Sequence, residues 1–507
     1  MVGTNELQWK KEVSVKKLAC LLLLVLGLAF AQTRGGELRV AILAEPPVLD
    51  PSASTSQEIA RMMYDNVLQG LVKLNEKGEI VPALAEKWQG SPSSLTWVFN
   101  LRKGVRFHNG AAFTAEDVVF KFNRARDPRS GHTNPAYYRD IASIEARDSH
   151  TVVIRLRQPN QDFLFNLARP DSVIGPKGRV EEQRTQPVGT GPFRFVSWER
   201  GVGVRLERFD GYYEPGLPYL DRVFFRFLPD PNAQIAALKA GDIDVIGLGL
   251  SPENALLVQR DSNLRLVVGT TTTEITVGMN NARPPFNDPR VRRAIQHAVD
   301  KKELIQGVML GFGTPIGSHR SPAESCYVDL SGFYSYDPAK ARALLQEAGY
   351  GAGNPLRFTF TLAAPYPYER RLGEAIAAKL QAVGVQAQLE VVEWATWLSR
   401  VFRGADYQMT IIGHSEPNDI GIYSNPSYYF RYNSQKFRDL YARYIRNPDP
   451  KQACESMKEL QRLLAEDAVN LWVMNSPYLA AMRREVAGWW QNQPTPSLNL
   501  TRVYWNR

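Results

Sequence analysis

The sequence is poor in the residues that build metal and thiol chemistry. Three cysteines and six histidines occur in 507 residues. Three cysteines make no disulfide framework. No two histidines stand at the spacing of a zinc-binding helix pair. A serine nucleophile elbow is missing as well, since Gly249-Leu250-Ser251-Pro252 lacks the closing glycine. No apolar run beyond residue 31 approaches the ~20 residues that a membrane-spanning helix requires. Charge of one sign is nowhere concentrated: the net +9 is spread along the chain. The densest basic stretch, Arg290-Val291-Arg292-Arg293, reads as the solvated face of a helix and not as a phosphate site. These gaps argue against a metalloenzyme, an elbow-type hydrolase, an integral membrane protein and a nucleic-acid binder. No cofactor, no metal and no catalytic residue is expected.

What is present is ordinary for a soluble globular protein: 44% hydrophobic and 22% charged residues. The length allows two to four lobes. At the N-terminus, Lys10, Lys11, Lys16 and Lys17 precede the apolar run Leu18 to Ala31, which ends in Ala29-Phe30-Ala31. That order is a cleaved secretory signal peptide over residues 1–31. Cys20 stands at the start of the apolar run, where a lipid-anchor cysteine would stand at its end, so no anchor is expected. Cleavage leaves Cys326 and Cys454, which an oxidising compartment permits to pair but whose number does not demand it.

Further on, Trp97, Phe99 and Leu101 alternate as a half-buried strand. Asn109-Gly110 marks a turn, and Thr114 with Asp117 forms a capping box that opens a helix. Ser56 to Leu71 reads as an amphipathic helix. Arg357 to Leu362, Tyr368 to Val383 and Val385 to Glu393 read as strand, helix and strand, which implies a parallel pair. Asp288-Pro289 and Asp337-Pro338 each place an N-cap before a first-turn proline.

The stretch Leu101-Arg102-Lys103-Gly104-Val105-Arg106-Phe107-His108-Asn109-Gly110, followed by Phe113-Thr114-Ala115-Glu116-Asp117-Val118, resembles the hallmark of the family 5 extracellular solute-binding proteins of ABC transporters, the peptide- and nickel-type group. Pro187 to Phe193, Gly241-Asp242-Ile243-Asp244 and Asn280 to Ile305 are similar to further landmarks of that family. The resemblance implies an α/β, two-lobe periplasmic-binding-protein-like fold of type II, in its large form with an inserted subdomain and hinge strands. Its implied divisions are lobe I (32–51, 187–270 and 478–507), the insertion (52–186) and lobe II (271–477). The crossings would lie near 266–272 and 475–479.

The same resemblance implies function. It describes a periplasmic, monomeric protein that captures di- or oligopeptides between its lobes and hands them to membrane permease subunits. A nickel chelate, an oligosaccharide or an amino-acid derivative remains open as ligand. A secreted hydrolase and a receptor-coupled sensor are the competing classes. The loop after a second-lobe strand carries the peptide-amine anchor in relatives; here it reads Gly413-His414-Ser415-Glu416-Pro417-Asn418-Asp419. Histidine replaces the usual tryptophan, and either Glu416 or Asp419 is left to play the acid. Further candidates for the ligand cleft are His414, Trp394, Glu45, Tyr423 and Arg400.

Overall fold

The computed structural model describes residues 34–364 and 366–506. The expected signal peptide lies outside them. Among the described residues no helix is long and apolar enough to cross a membrane.

The strands used below are β1 (Glu37–Ile42), β2 (Ala85–Gly90), β3 (Thr96–Leu101), β4 (Ile141–Asp148), β5 (Thr151–Leu156), β6 (Phe193–Glu199), β7 (Gly203–Arg208), β8 (Arg222–Phe227), β9 (Val245–Ile246), β10 (Leu264–Met279), β11 (Arg357–Ala363), β12 (Gln386–Val392), β13 (Met409–His414) and β14 (Leu471–Arg483). The helices are α1 (Gln57–Met63), α2 (Ala115–Ala125), α3 (Pro252–Gln259), α4 (Pro289–Ala298), α5 (Pro367–Gln381), α6 (Gln435–Arg446) and α7 (Pro450–Glu466).

One sheet path runs β12-β11-β13-β10-β14-β9-β1-β8-β7-β6, and β2-β3-β5-β4 form a separate sheet. The long pair β10 and β14 joins the halves of the main path. With 16 residues, β10 extends for about 50 Å at the usual rise per residue, long enough to serve both lobes. Its antiparallel ladder to β14 runs from Leu264↔Arg483 to Thr270↔Pro477, breaks, and resumes at Glu274↔Asn475. On one side of the break β14 pairs with β9; on the other β10 pairs with β13. The two-lobe α/β fold follows directly, with the interruption at the crossing.

Apolar packing follows the same partition. One core holds Leu38, Val40, Phe225, Tyr478 and Trp505. A second surrounds β3, β5 and α2 with Phe99, Phe107 and Phe122. A third joins α4 and α5 to β10, β11 and β13, and a fourth, rich in aromatics, packs α6 and α7. The capping box at α2 forms, Asp117 accepting from Thr114 N at 2.9 Å. β11 and β12 pair in parallel around α5.

Three expectations change. The helix expected over residues 56–71 stops at Met63, because Tyr64 turns extended and Asp65 takes a positive φ of 60°. Its residues Ile59 to Leu68 pack in the core of Leu38 and Trp505, so this part of the expected insertion is built into the first lobe's core. Arg292 is buried, not solvated, and donates to the carbonyls of Phe286, Asp467 and Ala468 at 2.7–3.2 Å. Cys326 and Cys454 form a disulfide across 128 residues. It ties the loop after Thr314-Pro315 to α7, a pairing that cysteine count alone did not require.

Candidate functional site

Two cavities, of about 320 and 170 Å³, open between the lobes. They share Gln57, Ser415 and Pro496, so they are chambers of one bent cleft. The first chamber is walled by Arg61 and the Gly249–Pro252 turn on one side, and by Thr271–Thr273 and Glu369 on the other. The second lies between Tyr137, Arg169 and Asp171 of the inserted region and Ser415–Pro417 of the second lobe.

The rims are clasped. Glu253, in the first turn of α3, accepts from Tyr368 Oη and Arg371 Nη1 of α5, each at 2.8 Å. Asp162 accepts from Asn418 Nδ2 at 2.7 Å and from Tyr444 Oη at 2.6 Å. Each carboxylate comes from one side of the cleft and its donors from the other, so this is the closed arrangement.

Local sequence explains how the walls are set. Pro252 follows the Ser251 N-cap, whose hydroxyl accepts from Asn254 N at 3.0 Å. That cap holds the Gly249–Pro252 turn against the first chamber. α1 brings Gln57, Glu58 and Arg61 onto one face by its i, i+3 and i, i+4 spacing. Arg61 is paired with Glu58 and donates to Gln57 Oε1 at 2.8 Å. Burial pushes Arg61 down and Glu58 up, with the ion pair opposing both shifts. In the second chamber Arg169 lies 4.1 Å from the Tyr137 ring centre and 3.5 Å from Asp171, and among the described residues its Nε has no hydrogen-bond partner. Burial works against its charge, but Asp171 and the neighbouring tyrosines outweigh it and leave Arg169 raised.

The loop after β13 distributes the sequence candidates unevenly. Glu416 is exposed and lines the second chamber. Asp419 stands behind the wall and accepts from His319 Nε2 at 2.8 Å. Burial raises its carboxyl, yet the charge and hydrogen bond of His319 win, and Asp419 is held below the usual range. Tyr423 is buried: its hydroxyl meets His319 Nδ1 at 3.2 Å and receives Asn470 Nδ2 at 3.0 Å. Asn470, Tyr423, His319 and Asp419 are thus hydrogen-bonded in series. His414 is buried beside them, with Nε2 2.8 Å from Tyr429 Oη, and burial lowers it to about 4. Glu274 completes the cluster, its Oε2 3.7 Å from His319 Nε2. Burial, then the charges of Glu324 and Asp419, push its carboxyl far up.

His319, His414 and Asp419 offer ligand atoms within 4.8 Å of one another. Two of the donors are already engaged: His319 Nε2 meets Asp419 and His414 Nε2 meets Tyr429, each at 2.8 Å. The cluster is a hydrogen-bonded buttress for the cleft loop.

The remaining candidates lie apart from the chambers. Trp394 stacks on Trp397 at 5.0 Å and meets Tyr366 edge-on. Arg400 is taken by Glu390 at 2.9 Å. Glu45 accepts from Trp198 Nε1 and Gly201 N at 3.0 Å. None of the three lines either chamber. Sequence reasoning missed Arg61, Arg169 and Glu369, which do. For Arg61 a signal existed, the Glu58/Arg61 pair one turn apart on a helix whose remaining residues, Gln57 aside, are apolar.

Comparison with known proteins agrees with this architecture. Residues 79–437 match the model of bacterial extracellular solute-binding proteins, family 5. The glutathione-binding protein GsiB of Escherichia coli O1:K1 is 31% identical over 366 residues, covering 70% of each chain. A Helicobacter pylori periplasmic binding protein, DppA, solved with the peptide STSA, superposes with a TM-score of 0.77 at 26% identity, covering 94% of this chain and 99% of that one. AgaA of A. tumefaciens R10, solved with agropinic acid, does so at 0.76 and 26%, covering 93% and 99%. An enclosed cleft between two lobes on crossing strands, and a family match over most of the chain, lead to one conclusion: this protein belongs to the family 5 bacterial extracellular solute-binding proteins, the binding components of ABC importers.

Proposed function

We propose that the protein captures short peptides in the interlobe cleft and delivers them to the permease of its importer. The observation that carries this is the wall of the first chamber. There Thr271–Thr273 lies where the ladder between β10 and β14 is broken. The carbonyls of Thr271 and Thr273 are taken by Asn475 Nδ2 at 2.8 and 3.0 Å, so the segment meets a ligand as a polar wall along an elongated cleft. That shape suits an extended chain whose side chains take the pockets on either side. The second chamber sets Arg169 beside Asp171 and Glu416, a mixture of charge suited to a zwitterion. Relatives that bind glutathione and the peptide STSA support the ligand class.

In this reading the protein is exported by residues 1–31, acts outside the cytoplasm as a monomer, and catalyses nothing. Of the loop acids, Glu416 meets the ligand and Asp419 holds the loop. The test is native mass spectrometry of protein purified without denaturant, followed by release of what it carries. A ladder of short peptides is the expected result. A sugar or a metal chelate in their place would overturn the peptide reading and leave the importer role standing.

A further inference from the structure

Three carboxylates line the cleft, and two have company. Glu58 lines neither chamber and is paired with Arg61. Asp171 receives Asn134 Nδ2 at 3.0 Å and faces Arg169. Glu416 turns back toward Ser415 N at 3.3 Å and stands at the exposed mouth of the second chamber. Glu369 differs. Among the described residues no cation lies within ion-pair distance of it and no other residue donates to it, although it lines the first chamber. Its neighbours on α5, Tyr368 and Arg371, are both committed to Glu253 in the rim clasp. Glu369 itself points inward, its Oε1 3.6 Å from where a Cβ on Gly413 would sit.

Glu369 is half-buried in the unfilled cleft, and a ligand that fills the chamber strips its remaining water, which is costly unless a cation joins it. Burial already pushes the Glu369 carboxyl above its ordinary value, against the pull of its own backbone N–H in the first turn of α5. The usual alternative, the acid of the loop after β13, is occupied, because Asp419 is engaged by His319 behind the wall.

We propose that Glu369 is the cation anchor of the cleft, receiving a primary ammonium of the ligand in a charge-assisted hydrogen bond. The ammonium is the free amino terminus of a peptide or the amine of a lysine-like side chain. This rests on the peptide reading above and assigns within it the group that fixes the ligand's direction. With the ammonium at Glu369, the chain runs past Thr271–Thr273 toward Arg169 in the second chamber.

The probes are an equimolar tri- and tetrapeptide library, its N-acetylated counterpart, and both again without lysine. Retention by ligand-stripped protein is read by native mass spectrometry, and affinities of retained peptides by calorimetry. Wild type should keep free peptides and reject acetylated ones, and Glu369→Gln should bind the free peptides at least about thirtyfold more weakly, the low end for truncating one member of a buried charge pair. Retention of acetylated peptides only when they contain lysine would assign the ammonium to the side chain. Equal retention of free and acetylated lysine-free peptides, or unchanged affinity in Glu369→Gln, would overturn the anchor while the peptide reading stands. Rejection of every library by wild type would overturn both. Because the substitution removes a half-buried acid without an ion-pair partner among the described residues, ligand-free Glu369→Gln should melt no lower than wild type. A lower melting temperature together with lost binding would instead make Glu369 a structural residue.

Discussion

At the scale of single residues, burial without a compensating charge decides protonation. His108, His132 and His414 are each lowered from 6.5 to about 4, with burial the largest cause. A histidine depressed in the folded state takes up its proton first in the unfolded chain. Its stabilising contribution is therefore full above pH 6.5 and is lost as pH falls from 6.5 to about 4. His414→Gln keeps a partner for Tyr429 and removes one such group. Unfolding free energy measured by urea between pH 7 and 4 should lose one proton's worth of slope, about 1.4 kcal/mol per pH unit; an unchanged slope would show that His414 titrates normally. Residues were also where the sequence was least legible. Choosing between Glu416 and Asp419 requires His319, a hundred positions away, and nothing in the loop itself announces that partner. Glu369 looked like any acid in a first helical turn, because its isolation is a property of the closed cleft. Arg400 and Glu45 were drawn away by Glu390 and by the Trp198–Gly201 turn, contacts that local spacing does not reveal.

At the scale of elements, local chemistry was a good guide wherever it was self-contained. The capping box of α2, the N-caps at Asp288 and Asp337, and the parallel pair around α5 depend on residues close in sequence. α1 escaped because its apolar pattern continued past Met63 while the backbone did not. The disulfide joins a loop to α7 over 128 residues, and closing so long a loop restricts the unfolded chain strongly. Replacing Cys326 and Cys454 by serine should cost about 2–5 kcal/mol, read as a lower melting temperature that reductant no longer changes. The crossing is equally sensitive. A Cβ on Gly269 would sit 1.7 Å from the carbonyl oxygen of Gln491, a backbone atom that has nowhere to go. Gly269→Ala should destabilise by about 1–3 kcal/mol or more, seen in denaturant unfolding. A full-strength variant would mean that the 491–493 segment can lift away from β10.

At the scale of the whole molecule, closure rests on two clasps at opposite rims. In ligand-free protein, Asp162→Asn with Glu253→Gln should raise the radius of gyration measured by X-ray scattering, with the melting temperature of each lobe retained. Glu253 is held below its usual value, its burial outweighed by the Tyr368 and Arg371 hydrogen bonds. Its clasp is therefore complete above the ordinary glutamate range and fails as pH drops below it; Asp162, raised by burial, does not share that loss. The overall architecture was legible from motif wording spread along the chain, whereas the cleft exists only once distant segments meet. Chain order has one more consequence. The cores of the second lobe draw on residues between 275 and 474, but the core that contains Leu38 also needs Tyr478, Leu500 and Trp505. Because a nascent chain emerges N-terminus first, the second lobe has all its residues before the first lobe does, although the first began earlier. Until residues 477–483 are made, β9 and the first-lobe part of β10 wait with unpaired edges for the strand that belongs between them. A chain cut just before residue 477 would thus lack an inner member of the first lobe's sheet, whereas one cut after Arg483 would keep it.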